Sequence, residues 1–180
     1  VVGAEYITPL VFTIVLGTVL LNATTARKFA RILKVVSKKS TGILIVGASD
    51  IARLIATYLE NTNRQVYIID NNPVNIQRAK NFGLNAISLD VYDDEDILTD
   101  DIELNDIGYL LCLTASPEIN NLALDKFSEQ FGENGSFRLI SYQELLNKEK
   151  EFNVPLFSRR YDFNILNEIA LKYPIIHELD

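Results

Sequence analysis

Residues Gly42–Asp70, GILIVGASDIARLIATYLENTNRQVYIID, decide the fold. Ile43–Val46 is a short apolar run rich in β-branched residues, which predicts a buried strand. Gly47 ends it. Ser49 or Asp50 stands where a helix cap belongs, and Ile51, Leu54, Ile55, Tyr58 and Leu59 follow at helical spacing. Gln65–Ile69 reads as a second strand, closed by Asp70.

Strand, tight turn, helix, strand and acid, in that order, lay out the first βαβ unit of a dinucleotide-binding fold. In the G-x-G-x-x-G/A fingerprint the first Gly makes the turn. The second lets the backbone approach a pyrophosphate, and the third small residue lets helix and strand pack closely. Gly47 and Ala52 suit the first and third positions; Ser49 replaces the second Gly. Its side chain crowds the approach, although its hydroxyl is a potential phosphate donor. Asp50 puts a negative charge beside the helix start, which disfavours phosphate. Asp70 lies 23 residues beyond Gly47. An acid there accepts from ribose hydroxyls and repels a 2′-phosphate, which favours NAD or an adenine nucleotide over NADP. The competing reading is an aspartate that caps the Asn71-Asn72-Pro73 turn. Asp90, at the end of the next strand, has an adenine-side reading and an equal one as a cap.

Downstream, Pro73 is placed to open a helix over Val74–Phe82, and Gly83 ends it. Asn85–Leu89 predicts a third strand. Ile107–Leu113 is almost wholly apolar, as in a central parallel strand covered on both faces. Pro117–Phe131 predicts a long helix, Phe137–Ile140 a fifth strand and Tyr142–Phe152 a further helix. This alternation means a doubly wound, Rossmann-like parallel sheet. Beyond Val154, Leu156–Phe157 reads as a short strand and Phe163–Tyr173 as a helix. Ile175–Leu179 reads as a strand cut off at the end of a fragment. The domains expected are 1–39, an apolar helix and basic exit; 40–152, the Rossmann domain; and 153–180, an extension or the start of a small subdomain.

Tyr6–Ala26 carries no charge, and the next thirteen residues hold six basic side chains and no acid. Some twenty uncharged, mostly apolar residues are enough to cross a hydrocarbon core about 30 Å thick. The basic collar from Arg27 to Lys39 places everything from about residue 27 onward in the cytoplasm by the positive-inside rule. A signal peptide fits less well, because its positive charges precede the apolar run. The soluble alternative is a buried or domain-swapped helix. A start at Val1 is expected of a fragment or a processed chain.

The formal net charge of −7 argues against nucleic acid as a partner. One cysteine, Cys112, excludes an internal disulfide and a Cys-rich zinc site, and one histidine, His177, leaves no His triad or metal cluster. The acidic run from Asp90 to Asp106 lacks the spacing of a calcium loop and reads as a solvated edge. No Tyr-x-x-x-Lys pair occurs, so a short-chain-dehydrogenase acid/base set is missing, and no catalytic or metal-binding residue is assigned.

Ile43–Gly47, Asp70, Asp90 and Leu113-Thr114-Ala115-Ser116-Pro117-Glu118-Ile119-Asn120 resemble the TrkA-N (RCK, KTN) nucleotide-binding regulatory domain of potassium channels and cation/proton antiporters. There the fourth strand ends in a Thr, soon followed by an acid and an Asn; Thr114, Glu118 and Asn120 match. The resemblance covers about residues 42–150. LVFTIVLGTVLLNATTARKFARIL, residues 10–33, is similar to the last transmembrane helix and exit of monovalent cation/proton antiporters of the sodium/proton class.

The resemblance implies a non-enzymatic, nucleotide-sensing domain behind an integral membrane transport domain of the same chain, homodimeric through the Rossmann part. Its ligand would be NAD, NADH or an adenine nucleotide (AMP, ADP or ATP). The candidate binding residues are Gly47, Ala48, Ser49 and Ile51 at the phosphate turn, Asp70 at the ribose and Thr114 lining the cleft, together with Asn71, Asp90 and Glu118. The alternatives are a soluble NAD-dependent oxidoreductase and a degenerate Rossmann domain kept only for dimerisation.

Overall fold

The computed structural model describes residues 6–32, 41–92, 107–131, 135–146, 155–157 and 160–177. The chain divides into two compact units, Val1–Lys38 and Lys39–Asp180. The first contains helix α1 (Ile7–Ile32). Its stretch Ile7–Thr25 is long and apolar enough to cross a membrane by length and composition. Apolar side chains are exposed on every face, from Leu10 and Phe12 to Leu20 and Leu21. A helix apolar all round needs an apolar surrounding. The Thr hydroxyls are satisfied within the helix itself: Thr13 donates to Pro9 O at 2.8 Å and Thr24 to Leu20 O at 2.8 Å. The basic exit is helical as far as Ile32, and the continuation expected to Ser40 lies outside the described residues.

The second unit is built on five strands, β1 (Gly42–Val46), β2 (Val66–Asp70), β3 (Asn85–Ser88), β4 (Ile107–Cys112) and β5 (Ser136–Arg138). They are parallel, in the order β3-β2-β1-β4-β5. The helices are α2 (Asp50–Asn61), α3 (Pro73–Asn81), α4 (Pro117–Phe131), α5 (Tyr142–Leu146) and α6 (Phe163–Lys172). The doubly wound parallel sheet expected from the alternation is what the chain forms.

Side-chain alternation divides the core between the two faces of the sheet. Ile43, Ile45, Ile68 and Leu111 point to one face, where α2, α3 and α6 bring Ile55, Ile76 and Ala170. Leu44, Val46, Ile69 and Leu110 point to the other, where α4 brings Ala123, Phe127 and Phe131, the two rings edge-to-face at 6.2 Å. Cys112 belongs to this second cluster, and burial pushes its thiol up to about 12. It is a packing residue, because a thiol held that high is not a nucleophile at neutral pH.

Local signals set most of the boundaries. Ser49 is the cap of α2, its hydroxyl accepting from Ala52 N. Asn72 caps α3 with Pro73 at its first position, and Gly83 turns the chain out of it with φ +81°. The regular part of β5 ends at Arg138, yet Leu139 N still donates to Cys112 O at 3.0 Å, which explains why Phe137–Ile140 reads as strand in sequence.

The C-terminal expectations need two corrections. Leu156–Phe157 is not a strand: a single parallel bridge joins Pro155 to Arg138, and the chain bends at once. Residues 175–177 are irregular too, and the remainder of the strand expected over Ile175–Leu179 lies outside the described residues. Helix α6 packs on α2 within the sheet unit. The acid-rich turn expected over Asp93–Asp101 and the helix expected over residues 147–152 lie outside the described residues.

Candidate functional site

In an open parallel sheet, ligands bind at the carboxyl ends of the strands where the strand order reverses. Here β1 lies between β2 and β4, so the loops after β1 and β4 diverge to opposite faces. Between them and the end of β2 is a cavity of about 330 Å³. This is near the lower end of the range for ligand pockets, about 300–1,000 Å³.

Gly47 makes the floor. Its φ of +98° is one that side-chain-bearing residues avoid, and a Cβ there would meet Thr114 Cγ2 at 2.8 Å and Leu113 O at 3.0 Å. The two loops therefore approach each other only because residue 47 is glycine. Leu113 N donates to Val46 O at 2.8 Å, and the Ser49 hydroxyl donates to Leu113 O at 3.2 Å. Position 49 has φ −65°, so a serine fits without strain. Its hydroxyl is committed to the β4 loop.

Asp70 spans the cleft mouth. One carboxylate oxygen accepts from Ala48 N at 2.7 Å and from Asn75 Nδ2 at 3.3 Å; the other accepts from Asn72 N at 2.8 Å. The two sequence readings of Asp70 are thus compatible. It caps the turn, and of the roughly four acceptor positions of a carboxylate about one remains for a ligand hydroxyl. A second opens if the long contact to Asn75 yields. On the neighbouring rim Asn71 Nδ2 donates to Asp90 at 3.1 Å. The Tyr92 N–H and then the Asn71 amide hold the Asp90 carboxyl below its usual range.

The β4 side is set by Asn120, which is buried at the start of α4. It accepts from Thr114 N at 3.1 Å and returns its amide to Thr114 O at 3.1 Å, pairing with the backbone as a neighbouring strand would. Thr114 is thereby fixed at the cavity wall. Glu118 faces away: it is exposed and accepts from the Ser116 hydroxyl at 2.8 Å, which holds its carboxyl below the usual range.

Of the sequence-derived candidates, Gly47, Ala48, Ser49, Asp70, Asn71, Asp90 and Thr114 line this one cavity. Ile51 and Glu118 do not. The Ile51 amide is taken by Asn167 Oδ1 of α6 at 3.1 Å. Asn75, Phe163 and Asn167 have no counterpart in the sequence reading. Asn75 is two residues into a Pro-initiated helix that follows Asp70, a spacing that points it back at the carboxylate. Phe163 and Asn167 carry no local signal, because only the return of α6 to α2 brings Phe163 to the cleft and Asn167 to the Ile51 amide.

The TrkA-N domain model matches residues 43–142, more than half of the chain. The chain belongs to the TrkA-N family. This TrkA-N domain is a nucleotide-binding Rossmann domain, and the matched residues include all nine candidates. No curated protein matches the chain. Among solved structures it is similar to L-idonate 5-dehydrogenase from Escherichia coli, at 16% identity over 76% of this chain and 40% of that one, TM-score 0.43. It is also similar to a protein assigned as an NAD-dependent epimerase/dehydratase from Bacillus halodurans, at 14% identity over 74% of this chain and 65% of that one, TM-score 0.45. A third is a protein assigned as a zinc-binding dehydrogenase from Clostridium scindens, at 16% identity over 76% and 41%, TM-score 0.44. The chain thus spans less than two thirds of the length of each.

The cleft suits the nucleoside half of a nucleotide. Asp70 offers an acceptor position of the kind a ribose hydroxyl uses, and Leu89, Val91 and Ile119 are apolar walls of the kind a base packs on. The charged residues lining it are Asp70 and Asp90; no Lys, Arg or His does so among the described residues. Arg53, the basic side chain nearest in sequence, is buried and turned inward onto Asp50 and Ala48 O.

Proposed function

We propose that this TrkA-N domain is a cytoplasmic nucleotide sensor that regulates a membrane monovalent cation/proton antiporter or potassium transport system, with the transport domain in the same chain and the sensor paired as a homodimer. The observation that carries the ligand part is Asp70, a half-buried carboxylate at the end of β2, hydrogen-bonded to the glycine turn with an acceptor position to spare. The ligand class is NAD, NADH or an adenine nucleotide, held through its ribose. The transport part is supported by α1, apolar on all faces and followed in sequence by basic residues. Regulation requires that the ligand bind one domain arrangement better than another, since equal affinities shift nothing. The domain carries no acid/base set for hydride transfer in this reading, and NADH is expected to persist in its presence.

Calorimetric titration of the whole chain in detergent with NADH, NAD, ATP, ADP and AMP tests the ligand. At least one binds, and Asp70→Asn, which keeps an acceptor but removes the charge, weakens it about tenfold, as a charge-assisted hydrogen bond is worth roughly 1.5–3 kcal/mol. Failure of all five at millimolar concentration would leave the dimerisation-only reading. Steady NADH consumption would favour an oxidoreductase.

The membrane part has its own test. The whole chain is expected to sediment with phospholipid vesicles, and a chain starting near Ser40 to stay in the supernatant. Equal partition of the two would remove the spanning helix.

A further inference from the structure

Two amides in the first turn of α2 are already partnered by side chains of the domain. The first amides of a helix have no intrahelical partner, and in Rossmann folds they receive the phosphates. In α2 the Ala52 amide is taken by the Ser49 hydroxyl at 3.4 Å, and the Ile51 amide by Asn167 Oδ1 at 3.1 Å. Asn167 comes from α6, more than a hundred residues away in sequence. A carboxamide oxygen is a neutral acceptor of the same reach as a phosphate oxygen, and it suits a site whose lining charges are carboxylates.

Helix α6 is built to hold that position. Asp162, 1% exposed, caps its start by accepting from Ile165 N at 2.9 Å, and Phe163 N donates to Ile140 O at 3.0 Å. Ala170 is buried against the sheet unit, and Leu166 packs beside it. Phe163, one turn before Asn167, lines the nucleoside cavity. A single helix thus lines the cavity through Phe163 and, through Asn167, holds the first turn of α2 beside it.

We propose that α6 is an internal competitor for the phosphate tail of the ligand. With Asn167 on the Ile51 amide the cleft takes the nucleoside half alone, and a 5′-diphosphate enters only when α6 lifts. This inference rests on the nucleotide-sensing reading and adds a moving part to it: the length of the phosphate tail is read as displacement of α6.

Adenosine and ADP, titrated calorimetrically into the whole chain in detergent, separate the two ends of the ligand. Asn167→Ala is expected to improve ADP relative to adenosine about tenfold, the size of one hydrogen bond to a charged group. Asn167→Asp, which places a negative charge on the same amide, shifts the ratio the other way. Hydrogen exchange gives a readout on the unaltered protein: ADP accelerates exchange of the Leu166–Ala170 amides and adenosine does not. Should Asn167→Ala fold poorly, Asn167→Asp and the exchange measurement carry the test. Adenosine binding with an unchanged ratio in folded variants, or α6 protection unmoved by ADP, overturns the α6 proposal and leaves the sensor reading standing. No binding of either ligand to any of the three proteins overturns the α6 proposal, whereas the sensor reading falls only if NADH, NAD, ATP and AMP fail as well.

Discussion

Gly47→Ala is expected to destabilise the TrkA-N unit by about 3 kcal/mol and to abolish nucleotide binding. Two costs combine. A side-chain-bearing residue at φ +98° carries backbone strain of roughly 1–3 kcal/mol. The added methyl also meets Thr114 Cγ2 at 2.8 Å and Leu113 O at 3.0 Å. Neither neighbour withdraws easily. The Leu113 peptide is held to Val46 O and the Ser49 hydroxyl, and Thr114 is held on both sides by Asn120. Relief therefore means parting the loops after β1 and β4, which line the candidate cleft. Gly83→Ala is the internal control. Its φ is +81°, but nothing lies within 4 Å of its virtual Cβ. Only the backbone term applies, about 1 kcal/mol. Thermal melts of the two variants check the difference. Equal losses would show that the close approach of the loops contributes nothing.

Glu144→Ala is expected to cost a similar amount, about 3 kcal/mol, at a place remote in role from the ligand. Arg138, on edge strand β5, is 5% exposed. Its guanidinium makes a bidentate pair with Glu144, at 3.0 and 2.9 Å. Removing one partner of a buried pair costs roughly 3–5 kcal/mol, because the remaining charge stays desolvated. Glu144 also accepts from Ser141 N at 2.9 Å, so α5 loses one half of its capping box as well, while the Ser141 hydroxyl still accepts from the residue-144 amide. Replacing the pair together, as Arg138→Met with Glu144→Leu, should recover most of the loss, since no desolvated charge remains. Chemical denaturation of the single and double variants tests this, and a double variant no better than the single one would contradict it.

The same pair gives a pH signature. Burial pushes the Glu144 carboxyl up, but the hydrogen bonds from Arg138 and Ser141 N outweigh it and hold the group below its ordinary value of 4.5. A carboxylate lowered on folding stabilises the native state above its unfolded value, and the contribution is lost as pH falls through the folded one. The parent should therefore lose stability below about pH 4.5 more steeply than Glu144→Ala.

Much of the sheet was legible because each strand and helix writes its own burial into its period. Ile43–Val46 and Ile107–Leu113 are apolar throughout because both faces of a central strand are covered. Ser49, Asn72, Pro73 and Gly83 mark ends because caps and turns act within a few residues. Reading failed where a local pattern needed a distant partner. The apolar alternation of Ile175–Leu179 suggests a strand, but its described residues, 175–177, are irregular. Leu156 pairs only through its amide with Arg138 O, at 2.9 Å. The Glu118 carboxylate accepts from the Ser116 hydroxyl, a contact within its own turn that the motif spacing does not show.

The sequence by itself determined the βαβ unit, the glycine turn and the acid that closes β2, because these depend on backbone preference and burial over fewer than thirty residues. It also determined that an apolar helix with basic residues behind it precedes the domain. Only the tertiary structure decided that β4 lies against β1, which brings Thr114 to Gly47. It alone returned α6 to α2 and put Asn167 on the Ile51 amide. A hydrogen bond across 116 residues leaves no period and no spacing in a sequence. It exists because the strand order carries the chain back to the face where α2 already lies.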